Sequence, residues 1–215
     1  MNLINSEVMI EKLTVGQMAT NCYIVSCDDK SATIIDPGSD ADLISTHIKK
    51  RKLNVRYIIN THGHYDHIGA NHIKHMIGNN VLLGIHKSDE EYLKTPELNL
   101  STLVGIDYVS DSPDFFLQEN QVIHLTKKIF FSVIHTPGHT PGSVCLKLEN
   151  YLFSGDLLFC GGVGRTDLPG GNENLLSKSL HTILELDKNI LVLPGHGPET
   201  TIGNEIETNP FLVFI

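Results

Sequence analysis

The chain has 215 residues, 40% of them hydrophobic and 19% charged, ordinary proportions for a globular protein that buries its core without disulfide staples. A formal net charge of -9 argues against a nucleic-acid partner, since an acidic surface repels phosphates; the densest basic run, HIKKRK at 47–52, reads as the exposed end of a helix. No apolar run approaches the roughly 20 residues needed to cross a bilayer, MNLINSEVMIEKL lacks the features of a signal peptide, and Cys22, Cys27, Cys145 and Cys160 show no CxxC spacing, so a soluble cytoplasmic protein without a disulfide framework is expected.

In chain order, VMIEKLTV (8–15), CYIVSC (22–27) and ATIIDPG (32–38) are β-branched or apolar runs separated by polar or turn residues, and read as strands. DADLISTHIKKRK follows, with Asp40 as N-cap and Leu43, Ile44, His47 and Ile48 at helical spacing. A strand, VRYIIN (55–60), leads into a histidine-rich loop, after which HIGANHIKHMIG (67–78) reads as helical up to Gly78. From about Leu98 to Gln121 the chain is polar and irregular. Strands resume with VIHL, IFFSVIH, SVCLKLE and YLFSG; then come the helix ENLLSKSLHTILELD, the strand ILVLPG and a short helix at TIGNEIET. No linker or repeat divides the chain, so residues 1–215 are read as a single α/β domain of two sheets covered by helices.

Five of the 12 histidines fall in tight polar motifs. THGHYDH crowds His62, His64, Asp66 and His67 directly after an apolar strand, where packing offers no reason for imidazoles and a carboxylate. Metal binding does. His62 and His64 alternate on an extended segment and can reach one ion, whereas Asp66 and His67 come after the chain turns and can serve a neighbour. Candidates for the remaining ligands are His139 in HTPGHTPGS, Asp156 in LFSGDLLF and His196 in LPGHGP, each at a strand exit. Asp156, just past its strand, can bridge two ions. Seven donors with one shared leave room for a water-derived nucleophile, as a catalytic site requires.

His62-x-His64-x-Asp66-His67, followed in order by His139, Asp156 and His196, resembles the metallo-β-lactamase superfamily. Within it the chain is similar to the shorter glyoxalase II-like hydrolases, with supporting matches in IIDPG, GRTDLPGG and PGHGPETTIGNEIETNPFL. The resemblance implies a four-layer αβ/βα sandwich of two mixed β-sheets flanked by helices, with a dinuclear site at one edge. His62, His64 and His139 would hold the first metal; Asp66, His67 and His196 the second; Asp156 would bridge. The ions implied are two divalent metals, zinc first, with iron or manganese as alternatives. Asp66 would also orient a hydroxide bridging the two ions and accept its proton, and Asp36 would fix a ligand histidine.

The activity so implied is hydrolysis of a small-molecule thiolester such as S-D-lactoylglutathione. Full-length glyoxalase II enzymes carry a C-terminal helical domain that supplies glutathione-binding residues, whereas 19 residues follow His196 here, so a thiolester of another thiol is an alternative expectation. The runner-up is a persulfide dioxygenase with one iron on His62, His139 and Asp156; a lactonase or a non-catalytic metal-binding module ranks lower. Arg165 and Asp167, in GGVGRTDLPGGNEN, allow two readings: Arg165 grips a substrate carboxylate, or the two side chains pair with each other. The other seven histidines read as structural, Tyr65 as packing, and Cys160 as a buried thiol acting as a small hydrophobe.

Overall fold

The structure is a computed structural model that describes residues 2–5, 8–78 and 80–213. The first sheet begins with β1 (Asn2–Asn5), β2 (Val8–Val15), β3 (Thr20–Cys27) and β4 (Ser31–Ile35), paired antiparallel in that order. After helix α1 (Ala41–Arg51), β5 (Asn54–Ile59) adds parallel to β4. Two short helices follow, α2 (Tyr65–Ile68) and α3 (Lys74–Ile77), then β6 (Leu82–His86), the one-turn α4 (Pro96–Asn99) and β7 (Phe115–Leu117). β6 and β7 extend the sheet in parallel to seven strands.

The second sheet comprises β8 (Val122–His124), β9 (Phe130–His135), β10 (Val144–Leu148) and β11 (Tyr151–Gly155), antiparallel throughout. The small hairpin β12 (Leu158–Phe159) and β13 (Gly162–Val163) and helix α5 (Glu173–Leu184) lead to β14 (Leu191–Pro194), which pairs parallel with β11. β15 (Thr200–Thr201) closes that edge, and α6 (Ile202–Thr208) ends the fold.

Period-2 alternation explains the layering. In β3, Tyr23, Val25 and Cys27 face the space between the sheets, where they meet Phe131, Val133, Val144, Leu146 and Phe153. Cys22 and Ile24 face the other way, into a cluster with Ile44 and Ile48 of α1. On the second sheet Cys145, Leu152 and Val192 turn outward onto Leu176, Leu180 and Ile183 of α5. Helix, sheet, sheet and helix therefore form four layers, the expected αβ/βα sandwich. Each large side chain so buried contributes about 1.5–3 kcal/mol.

Local differences from expectation have physical reasons. The helix expected over 67–78 breaks after Ile68: Ala70 N–H donates to Pro37 O, and buried Asn71 exchanges side-chain hydrogen bonds with Asn60 rather than facing solvent on a helix. Asp40 is the N-cap residue of α1, as expected, and its carbonyl accepts from Ile44 N–H, but its backbone is left-handed (φ 55°) and its side chain accepts from Gly16 N–H rather than from the helix. Cys160 is exposed, contrary to its reading as a buried thiol, because it sits on the turn between β12 and β13. β1, β6 and β7 arose without a sequence expectation.

The parallel strands β4, β5, β6, β11 and β14 release their C-terminal ends on one side of the sandwich, where α/β proteins place their sites. Two sheets meet there: Asn21 N–H donates to Gly195 O (2.7 Å), Tyr23 Oη to Pro194 O (2.8 Å) and Val144 N–H to Thr61 O (2.9 Å). Gly38, in the IIDPG turn after β4, lies against α2 so closely that a Cβ would stand 1.5 Å from Asp66 O. Backbone cannot yield there as a side chain could. Gly38→Ala is therefore expected to destabilise the fold by about 1–3 kcal/mol or more, read as a lowered urea midpoint; a midpoint within error of the parent would show that the α2 contact is dispensable.

Candidate metal centre

Each expected donor lies just beyond a strand. His62 and His64 follow β5, and Asp66 and His67 sit on α2; His139 occupies the β9–β10 loop, Asp156 follows β11 and His196 follows β14. All seven come together. His62, His64 and His139 form one group, His62, His67 and Asp156 a second, and Asp66, His67 and His196 a third, with the donor atoms of each group within 4.8 Å of one another. Asp156 stands between the halves: Oδ1 is 3.4 Å from His67 Nε2, and Oδ2 is 3.6 Å from His139 Nε2 and 3.7 Å from His196 Nε2.

The environment aims these side chains and sets which nitrogen carries the proton. His139 Nδ1 lies 2.8 Å from Arg165 O and His196 Nδ1 3.1 Å from Met18 O; a carbonyl only accepts, so both Nδ1 atoms are protonated and both Nε2 lone pairs face the cluster. Asp36 accepts from Thr61 N–H and Thr61 Oγ1, each at 2.7 Å, and its Oδ2 lies 3.0 Å from His67 Nδ1. Thr61 Oγ1, having given its proton to Asp36, accepts from His62 Nδ1 at 3.2 Å. One buried carboxylate thus orients both His62 and His67.

A divalent cation fits this donor set. His62 Nε2 and Asp156 Oδ1 are buried without a hydrogen-bond partner, a cost that metal ligation removes. His64 Nδ1 approaches His139 Nε2 to 2.9 Å, two nitrogen donors directed at one point. Gly195 keeps the space clear, since a Cβ there would lie 2.3 Å from Asp156 Oδ1 and 2.6 Å from His67 Cε1.

The two halves differ electrostatically. Burial, reinforced by the neighbouring imidazoles, pushes His62 well below the ordinary histidine range and His64 down to about 3, so both are neutral. Burial acts the same way on His67 and His196, but Asp66 and Asp156 outweigh it and raise both. The same contacts hold Asp66 and Asp156 below the usual carboxylate range in spite of their burial. One donor group is all imidazole and the other includes a carboxylate, so the two groups are electrostatically nonequivalent.

Of the two readings of Arg165, the structure shows the pairing: Nε and Nη2 each donate to Asp167 at 2.7 Å, on an exposed rim. Tyr65 packs on Tyr108 (ring centroids 5.2 Å) and also lines the cavity above the cluster. None of the other seven histidines enters the converging groups; His75 meets Asp111, and His86 stacks on His135.

Sequence reasoning missed Asp89. This buried carboxylate accepts from Gly63 N–H (2.9 Å), between His62 and His64, and from Thr140 Oγ1 (2.7 Å) and Gly142 N–H (2.6 Å), beside His139. It ties two donor loops of opposite sheets together. Burial pushes it up to about 6 against those three donors. In KSDEEYL nothing separates it from the neighbouring solvated acids.

If Asp36 aims His62 and His67, its loss acts through them. Asp36→Asn is expected to weaken metal affinity about 10–100-fold in a chelator competition titration, with the far-ultraviolet spectrum unchanged; parent-like affinity would remove Asp36 from the site.

Residues 15–196 match the metallo-beta-lactamase superfamily. Hydroxyacylglutathione hydrolase GloC of Haemophilus influenzae is 37% identical over 209 residues, covering 94% of this chain and 97% of that protein. Among solved structures, the B3 metallo-beta-lactamase BLEG-1 superposes with TM-score 0.90 at 40% identity, covering 95% of this chain and 100% of that one. TTHA1623, solved in a di-iron-bound form, superposes with TM-score 0.82 at 33% identity over 94% of this chain and 100% of its own. By sequence match across the donor motifs and by fold, the chain belongs to the metallo-beta-lactamase superfamily, whose fold binds divalent metals.

Proposed function

We propose that this protein is a dinuclear metal-dependent hydrolase that cleaves a small-molecule thiolester, S-D-lactoylglutathione being the reference substrate. The observation that carries the reading is the second donor group: Asp66, His67 and His196 stand complete beside His62, His64 and His139, which a single-metal enzyme does not need. The kinship with a hydroxyacylglutathione hydrolase supports the thiolester.

On this reading His62, His64 and His139 would hold one ion and Asp66, His67 and His196 the other, with Asp156 available to both. Donors of nitrogen and oxygen without thiolate suit zinc, iron or manganese, and a di-iron relative supports iron alongside zinc. Divalent ions in these positions lower the pKa of bound water towards neutrality and polarise the substrate carbonyl.

The chain's own groups prepare that chemistry. Asp66, ionised throughout the neutral range, accepts from Thr20 Oγ1 at 3.2 Å and contacts His196 Nε2 at 3.0 Å, so it is fixed in place to accept a hydrogen bond from the attacking water and orient it. Its low proton affinity suits orientation better than storage of the proton. Asp36 and the carbonyls of Arg165 and Met18 hold four imidazoles in the required rotamers, so the donor set needs no rearrangement to act. Cys22, Cys145 and Cys160 form no disulfide, which fits work in a reducing compartment such as the cytoplasm.

Protein purified without added metal is expected to carry about two divalent ions per chain and to hydrolyse S-D-lactoylglutathione; about one iron with oxygen uptake on glutathione persulfide would overturn the hydrolase in favour of a dioxygenase. His64→Ala and Asp156→Ala are each expected to lower kcat more than about a hundredfold while circular dichroism stays native. Cys160→Ser, on its exposed turn, should leave the rate within a few-fold. Wild-type kcat in a metal-loaded Asp156→Ala protein would end the bridging assignment.

A further inference from the structure

The cavity over the donor cluster, about 270 Å³, is walled on one side by Met18, Leu100, Leu103, Val104 and Leu168, and it contains His64, Asp66, His139, Asp156 and His196. A second cavity of about 230 Å³ shares Met18, Tyr65, Asp66 and Val104 with it and adds Ile106. The apolar side chains are not packed away. Leu103 is 75% exposed, Met18 56% and Val104 49%, a contiguous apolar patch of the kind that marks a binding surface.

The segment that displays them is inverted relative to an ordinary surface loop. Two of its polar side chains point inward, Asn99 and Ser101 being fully buried, while Thr102 is exposed beside Leu103 and Val104. Asn99 Nδ2 donates to Tyr92 O and Tyr108 O, its Oδ1 accepts from Ser101 N–H, and Ser101 Oγ accepts from Tyr108 N–H. Leu100 and Gly105 flank the turn at Ser101–Val104 with left-handed backbones (φ 68° and 74°), a strained conformation for leucine that its surroundings must impose. The interior hydrogen bonds fix the loop, and the fixed loop turns Leu103 and Val104 outward over the metal cluster.

Charge tells the same story. A glutathione conjugate carries two carboxylates and one ammonium and so brings net negative charge. Among the described residues lining the two cavities, Arg165 is the one lysine or arginine, and Asp167 occupies its guanidinium with two hydrogen bonds. The mouth is neutral there, on a chain of net charge -9.

We infer that the Met18–Leu103–Val104 wall binds an aliphatic arm of the substrate, so that the preferred substrates are uncharged thiolesters with an alkyl chain on the acyl or the thiol side rather than anionic glutathione conjugates. The inference rests on the hydrolase reading above and adds the substrate class. The wall contributes by removing alkyl surface from water, and each methylene covered strengthens binding by an amount that becomes about fourfold in kcat/KM.

The test is a set of kcat/KM values for metal-loaded enzyme on N-acetylcysteamine thiolesters from acetyl to octanoyl, on acetyl thiolesters of alkanethiols of rising length, and on S-D-lactoylglutathione. A rise of about fourfold per methylene in either series, carrying its longer members more than about tenfold above S-D-lactoylglutathione, supports the inference and tells which arm meets the wall. Flat series, or a preference for the glutathione conjugate, overturn it while leaving the hydrolase intact. No turnover of any thiolester, acetyl included, overturns both. Replacing Leu103 and Val104 together by serine, on an exposed turn where folding is not at stake, is expected to flatten the chain-length dependence through KM; a slope equal to the parent's assigns the selectivity elsewhere and sinks the wall.

Discussion

Seven metal-seeking side chains share one buried seam, and almost everything else about the site follows from keeping them there. Imidazoles crowd to centroid separations of 4.1–4.9 Å around His62, far from the water that would otherwise solvate them. Burying such groups without partners costs several kcal/mol each. The fold bears this by building the seam from two rigid sheets rather than from one flexible loop. His62 through His67 hang from β5 of the first sheet, while Asp156 and His196 hang from β11 and β14 of the second. Neither sheet alone carries a complete set, so the site exists because the sheets are locked face to face.

Three interior carboxylates hold the donor-bearing loops, each at a different joint, and one of them, Asp89, ties the two sheets together. Asp36 joins the end of β4 to the start of the histidine loop through Thr61. Asp89 joins the same loop to the His139 turn, across the interface. Glu205, fully buried on α6, accepts from Gly161 N–H and from Thr200, Asn204 and Asn209, fixing the β12–β13 hairpin that follows Asp156. Buried charge is expensive unless every acceptor is filled, and these carboxylates are filled mostly by backbone N–H and hydroxyl donors. Their effect is positional: they hold donors that touch metal without themselves facing it.

This division explains what could be read in the sequence. His62, His64, Asp66 and His67 are legible because they fall within six residues, and a local pattern reports local chemistry. His139, Asp156 and His196 are legible because each comes just after an apolar strand and directly follows a glycine, so a polar side chain at that point has no packing role. Asp89 and Glu205 carry no such mark, since a carboxylate in an acidic, helix-like stretch looks solvated until the tertiary fold covers it. The β-branched and apolar runs placed most strands to within a residue or two, but β6 and β7, which had no expectation, are seen only through their pairing with β5 and with each other. Cys160 shows the converse error. A thiol in a run beside apolar residues reads as core, and only the reversal of the chain between Phe159 and Gly162 turns it out to solvent.

The region from Leu98 to Gln121 is the instructive failure, because its irregular, polar sequence hid an ordered structure. Asn99 and Ser101 spend their hydrogen-bonding capacity on the backbone beneath them, and that leaves no interior room for Leu103 and Val104. In a loop with no further role, exchanging Leu103 and Val104 for polar residues would lose nothing from the core, since neither is in it. Holding them exposed over a metal cluster, on a backbone strained at Leu100, is a cost the fold recovers only if something apolar covers them. On the inference drawn above, the same four-layer frame that fixes the donors leaves selectivity to the connection between α4 and β7, where it can change without disturbing the seam.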